Sequence, residues 1–131
     1  MPGITGIISK TMKEVIDVAQ MTDSMLHEPT YNHGKYSNKY LGAYLGWVSH
    51  SGSFSDCMPI WNETRDVCLI FSGEDFTDSN EINELKSQGH QFHSDDASYL
   101  VHLYEERGLK FISQLNGWFS GLLVDLRQEK I

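Results

Sequence analysis

The sequence predicts an α+β domain, on three observations. Apolar runs of strand length recur at Ile4-Thr5-Gly6-Ile7-Ile8, at Val67-Cys68-Leu69-Ile70-Phe71 and from Trp118 to Asp125. Helix-start signals of capping-box spacing stand at Thr11-Met12-Lys13-Glu14 and Asp78-x-x-Glu81. The two kinds of signal come in blocks and do not alternate strictly, in the order strand, helix, strands, three helices, strand. At 131 residues the chain is one domain's worth and can bury about two-thirds of its unfolded surface in a single core.

Each element has its own local reason. The first strand interleaves Gly3 and Gly6 with Ile4, Ile7 and Ile8, a pattern expected of a buried strand approached closely by other backbone. Met12, Val15, Ile16, Ala19 and Leu26 then follow a 3.6-residue period, an amphipathic helix that Pro29 stops. Residues 31–39 are polar, contain Gly34 and have no periodicity, so a loop is expected there. Tyr40 to Val48 reads as a strand, with Gly42 and Gly46 at close packing or bulges, and residues 49–56 as loop again. Met58 to Glu63 leads through a turn at Glu63–Asp66 into Val67–Phe71, a continuous apolar run expected to be buried on both faces. Asp78 opens a short helix with Ile82 and Leu85 that Gly89 closes. Asp95 or Asp96 caps the next helix, which runs to Arg107 before Gly108, and Leu109 to Leu115 is a third. Asn116-Gly117 is a turn before the last strand, Trp118 to Asp125.

Composition excludes several classes. With 40% hydrophobic and 21% charged residues the chain is ordinary globular material, neither disordered nor fibrous. The net charge of −8 is concentrated between residues 56 and 106, where twelve Asp or Glu meet two Lys or Arg, so nucleic acid is not an expected partner. That acidic stretch reads as a solvated face that aids solubility. No apolar run reaches the ~20 residues of a membrane span and no signal-peptide pattern opens the chain, so a cytoplasmic protein away from the membrane is expected. Cys57 and Cys68 are too few for a disulfide framework.

The motifs resemble a known family. Met1-Pro2-Gly3-Ile4-Thr5-Gly6-Ile7 is similar to the Met-Cys-Gly-Ile-x-Gly-Ile start of asparagine-synthetase-type amidotransferases. Met58-Pro59-Ile60 resembles their Gln-Pro-Met stretch, and Val67 to Phe76, with Ser72-Gly73-Glu74, their strand ending in Asn-Gly-Glu-Ile-Tyr. Gly89-x-x-Phe92 followed by Ser94-Asp95-Asp96, then Leu103-Tyr104-x-x-x-Gly108, Leu115-Asn116-Gly117-Trp118-Phe119 and Asp125 continue the resemblance in order. It implies a class II glutamine amidotransferase domain of N-terminal nucleophile hydrolase type: an αββα sandwich of two antiparallel sheets between helical layers. The family's domain continues with further strands, so a fold shortened at its C-terminus is expected.

Carried over by position, the resemblance implies a damaged site. Pro2 stands where the family's nucleophilic Cys, with its thiol and free α-amino group, would be; a proline ring offers a secondary amine and no thiol. The Arg that clamps the glutamine carboxylate has no counterpart in Leu45-Gly46-Trp47-Val48-Ser49-His50. Ser72 replaces the oxyanion-hole Asn, Gly73 and Glu74 are kept, and Asp96 matches the Asp that binds the substrate amino group. The expectation is a vestigial site without glutaminase activity, in a structural, regulatory or partner-binding module of an asparagine-forming system. Alternatives are an acid/base enzyme using the Pro2 amine, or the N-terminal piece of a synthetase that uses free ammonia. The family's strands flanking the last one lie outside this sequence, so Trp118–Asp125 is expected to be an unpaired apolar edge. It would be covered by self-association into a homodimer or by a separate synthetase-type chain. A small amino acid is the residual ligand such a site would take. No cofactor is expected: His90-x-x-His93 with Asp95 and Asp96 lies in a loop and has no second cluster to complete a metal site. Asn62-Glu63-Thr64 matches a glycosylation sequon without a signal peptide to give it a route.

Overall fold

Strand and helix signals fold into the expected four layers. In the computed structural model the described residues are 2–10 and 14–131, the side chains of residues 14–16 excepted. The Thr11–Glu14 capping box, like the side chains of Met12, Val15 and Ile16, lies outside them. One sheet has the order β1-β3-β2, from β1 (Gly3–Ile8), β2 (Tyr31–Asn38) and β3 (Ala43–His50). The other has the order β4-β5-β6, from β4 (Ile60–Trp61), β5 (Val67–Asp75) and β6 (Gly117–Asp125). All pairings are antiparallel. Helix α1 (Glu14–Ser24) covers the first sheet; α3 (Leu100–Arg107) covers the second, and α2 (Ser79–Ser87) contributes Leu85 and Ile82 to the apolar cluster on that side. The protein is therefore an α+β sandwich of the αββα kind.

β5 holds the layers together because its side chains alternate. Cys68 and Ile70 join Leu45, Trp47 and Val124 between the sheets, with Ile4 and Leu122 packed alongside. Val67, Leu69 and Phe71 point the other way, into the cluster of Leu85, Ala97, Tyr99, Leu100 and Leu103 under the helices. The run from Val67 to Phe71 is buried throughout, as a strand between two apolar layers must be. The helices begin where their caps place them: Asp78 accepts the Asn80 N–H at 2.9 Å, and Asp96 accepts that of Ser98 at 2.9 Å. The helix expected from Asp95 or Asp96 starts as a 3₁₀ turn at Ala97–Tyr99, and the third, expected at 109–115, is a 3₁₀ segment, Gly108–Gln114.

Four expectations are corrected. Residues 31–38 are strand β2, paired with β3 from Tyr31↔His50 to Asn38↔Ala43. Their polarity hid them: β2 is an edge with one face to water, and Gly34 is where the Trp47 ring crosses, so that a Cβ would fall 2.2 Å from Trp47 Cζ2. β3 consequently begins at Ala43, three residues later than expected, since the turn at 39–42, with Leu41 N–H on Asn38 Oδ1, consumes Tyr40 to Gly42. β1 is an edge strand and only partly buried; Ile8 is more than half exposed. β6 is not unpaired: it pairs with β5 along its whole length, from Gly117↔Asp75 to Asp125↔Val67, and only its outer edge lacks a neighbour among the described residues.

Candidate functional site

The positions singled out from the sequence sit at the end of β5, on a helix cap and at the start of β1. Ser72, Gly73 and Glu74 lie opposite Ser120, Phe119 and Trp118. Gly73 has φ +135°, and a Cβ there would sit 2.0 Å from the Trp118 carbonyl oxygen, so strand pairing at this point depends on glycine. Asp96 spends one oxygen on the Ser98 N–H, and its carboxylate neighbours the Cys57 thiol. Burial, with that carboxylate's charge, pushes the Cys57 thiol up to about 12. Pro2 is half-buried and precedes Gly3, which pairs with Val48 of β3. Among the described residues no hydrogen bond links Pro2, the Ser72–Glu74 segment and Asp96 to one another.

A polar cleft of about 410 Å³ lies beside the end of β3, lined by Tyr31, Asn32, His33, Trp47, Ser49, Asp56 and Met58. Met58 connects it to β5, because its sulfur accepts the Phe71 N–H at 3.2 Å, one residue before Ser72. Among the described residues the lining contains no Lys or Arg. Its charged group is Asp56, whose carboxylate accepts from Asn32 Nδ2 at 2.7 Å, Gly52 N–H at 2.8 Å and the Ser49 hydroxyl at 3.0 Å. Burial works to raise its pKa, but these three donors outweigh it and hold the carboxyl below the ordinary value. A cleft whose fixed charge is negative repels a carboxylate ligand and favours an amine.

Comparison with known proteins agrees with this architecture. A family model described as a glutamine amidotransferase domain matches residues 1–131. The chain belongs to this family. It is also similar to asparagine synthetase [glutamine-hydrolyzing] 2 of Arabidopsis thaliana, at 36% identity over 72 residues, and to that of Zea mays, at 35% over 72 residues. Each match covers 54% of this chain and 12% of the relative. The asparagine synthetase of Brassica oleracea is 36% identical over 70 residues, 53% of this chain and 12% of its own length. The matched part of this amidotransferase domain thus spans about an eighth of these relatives.

Two features of the amidotransferase domain escaped the sequence. Glu63, His90, His102 and Glu105 converge from the β4–β5 turn, the segment after α2, and α3, with ligand atoms all within 4.8 Å of one another. Of these four the sequence offers only His90 as a ligand, paired with His93, which is exposed and donates its backbone N–H to Ser98 Oγ. His102 and Glu105 at i, i+3 on a helix were the available signal, since that spacing puts both on one face. The second feature is an apolar groove of about 420 Å³ between β6 and the 3₁₀ segment, bordered by Phe71, Phe111, Leu115, Phe119 and Leu123. The sequon asparagine, by contrast, is buried and donates from Nδ2 to Thr64, Asp66 and Glu105.

Proposed function

We propose that this domain is an amidotransferase fold without glutaminase chemistry, acting as a structural, regulatory or partner-binding module in an asparagine-synthetase-type amide-forming system. The observation that carries the reading is Pro2. The family match begins at residue 1, so the first strand lies within it, and the position of the nucleophile offers no thiol and no hydroxyl. The two cysteines cannot stand in for it. Cys68 is fully buried between the sheets and its thiol is pushed up to about 12 by burial, while Cys57 is raised equally and lies beside Asp96. Residues 45–50 support the same reading, since they offer Ser49 and His50 but no Arg, and neither can form a bidentate carboxylate clamp.

The test is glutamate release from glutamine, measured against a blank without protein. The wild-type chain should release none above the blank. Pro2→Cys alone should also release none, because the family's carboxylate-clamping Arg has no counterpart in residues 45–50. Turnover by the wild type would overturn the reading; turnover by the single variant would show that the carboxylate is held elsewhere.

A further inference from the structure

His90 and His102 lie side by side with ring centroids 4.6 Å apart and their planes tilted by 33°, and each turns its Nδ1 toward the same two carboxylates. His102 Nδ1 lies 3.0 Å from Glu105 Oε2 and 3.5 Å from Glu63 Oε2; His90 Nδ1 lies 3.6 Å from Glu63 Oε1 and 3.8 Å from Glu105 Oε2. Tetrahedral coordination with metal–ligand bonds near 2.0–2.1 Å puts ligand atoms about 3.3 Å apart; the four nitrogen–oxygen distances here bracket that value, and all four ligand atoms lie within 4.8 Å of one another, so a small contraction of the cluster completes the site.

Neighbours outside the cluster orient three of these four groups. Glu106 Oε1 accepts from His90 Nε2 at 2.9 Å, the carboxylate–histidine arrangement that keeps the proton on Nε2 and leaves the Nδ1 lone pair free. Asn62 Nδ2 donates to Glu105 Oε1 at 2.7 Å, and Arg127 approaches that same oxygen at 3.8 Å, so Oε2 is left for the cluster. The Gln91 N–H fixes Glu63 through Oε1 at 2.9 Å. His102 is fully buried. A nitrogen lone pair facing two carboxylates is a concentration of acceptors that a cation completes. Two neutral imidazoles, two carboxylates and one divalent ion sum to zero charge.

We propose that Glu63, His90, His102 and Glu105 bind one divalent transition-metal ion, with zinc the best match to a two-nitrogen, two-oxygen tetrahedral set. The ion would pin the β4–β5 turn, the segment after α2 and helix α3 to one another, a structural staple under the helical layer. It does not depend on the amidotransferase reading.

Zinc titration of the metal-free chain against a chromophoric chelator tests it, together with the visible spectrum after cobalt(II) substitution. One equivalent should bind with submicromolar affinity, raise the melting temperature and give the intense bands of tetrahedral cobalt. His102→Ala would hollow the core, so the informative changes are Glu63→Gln and His90→Ala, at side chains 42% and 15% exposed. Each should weaken zinc binding more than tenfold, and Glu106→Gln, beyond the ligand set, by about tenfold. His93→Ala should leave it unchanged. Absence of bound zinc, an octahedral cobalt spectrum, or equal affinity in the Glu63→Gln/His90→Ala double variant would overturn the assignment.

Discussion

Replacing Asp125 by alanine should be among the most damaging polar changes in the chain. The side chain is fully buried at the end of β6. Its Oδ2 accepts the Tyr104 hydroxyl at 2.8 Å, its Oδ1 accepts the N–H groups of Arg127 at 2.8 Å and Gln128 at 3.1 Å, and the Arg127 guanidinium lies 3.3 Å away. Arg127 and Gln128 are exposed and can return to water, whereas the Tyr104 hydroxyl is buried and would be stranded. A hydrogen bond to a charged acceptor contributes about 1.5–3 kcal/mol net, and a stranded buried hydroxyl costs about 1–3. With the rehydrated donors discounted, Asp125→Ala should cost about 3 kcal/mol, and Tyr104→Phe, which strands nothing but one acceptor lone pair, about 1. For a domain of this size the first corresponds to a fall of about 10 °C in melting temperature. The pH dependence has a definite sign. Burial acts to raise the Asp125 carboxyl, but Arg127, the Tyr104 hydroxyl and the Gln128 N–H outweigh it and hold the carboxyl below its ordinary value. A depressed carboxyl contributes in full above the unfolded value of about 4, and the contribution is lost as pH falls through the folded value. Urea unfolding followed by tryptophan fluorescence at stepped pH should therefore show the gap between wild type and Asp125→Asn narrowing from pH 7 toward acid. A loss under about 1 kcal/mol for Asp125→Ala, or a gap independent of pH, would refute the network as its cause.

Three further outcomes follow from packing. Both thiols are raised to about 12 by burial, so neither Cys57 nor Cys68 should react with a disulfide reagent at pH 8 on the time in which both react in denaturant; rapid native labelling of Cys68 would contradict its place between the sheets. Gly34→Ala would drive a methyl into the buried Trp47 ring and should lower stability by about 2–3 kcal/mol in urea; an unchanged midpoint would mean that β2 does not seat against that ring. Trp118 is 87% exposed on the outer edge of β6, and we propose that this edge self-associates; light scattering should show a dimer that Trp118→Lys dissolves, and a 14.9 kDa monomer for the wild type would remove the proposal.

What the sequence determined by itself was whatever local chemistry repeats along the chain. The apolar run of β5 could be read because a strand covered on both faces has no polar position to blur it. The cap Asp78 could be read, and the second narrowed to Asp95 or Asp96, because a capping oxygen bonds an N–H only two or three residues away; the structure chose Asp96. Six family-like segments in order carried the αββα architecture, and Pro2 carried the doubt about catalysis, since a missing thiol is visible without coordinates. Tertiary structure decided what depends on partners distant in the chain. β2 is a strand only because β3 lies beside it and Trp47 needs the space above Gly34; its own polar residues have no period to announce it. The fixed charge of the cleft comes from Asp56 reaching Asn32, Ser49 and Gly52, which no spacing rule connects. The two-histidine, two-glutamate cluster was hidden for the same reason: its residues stand 42 positions apart, from Glu63 to Glu105, and only the stacking of the β4–β5 turn under α3 makes four weak ligands into one site.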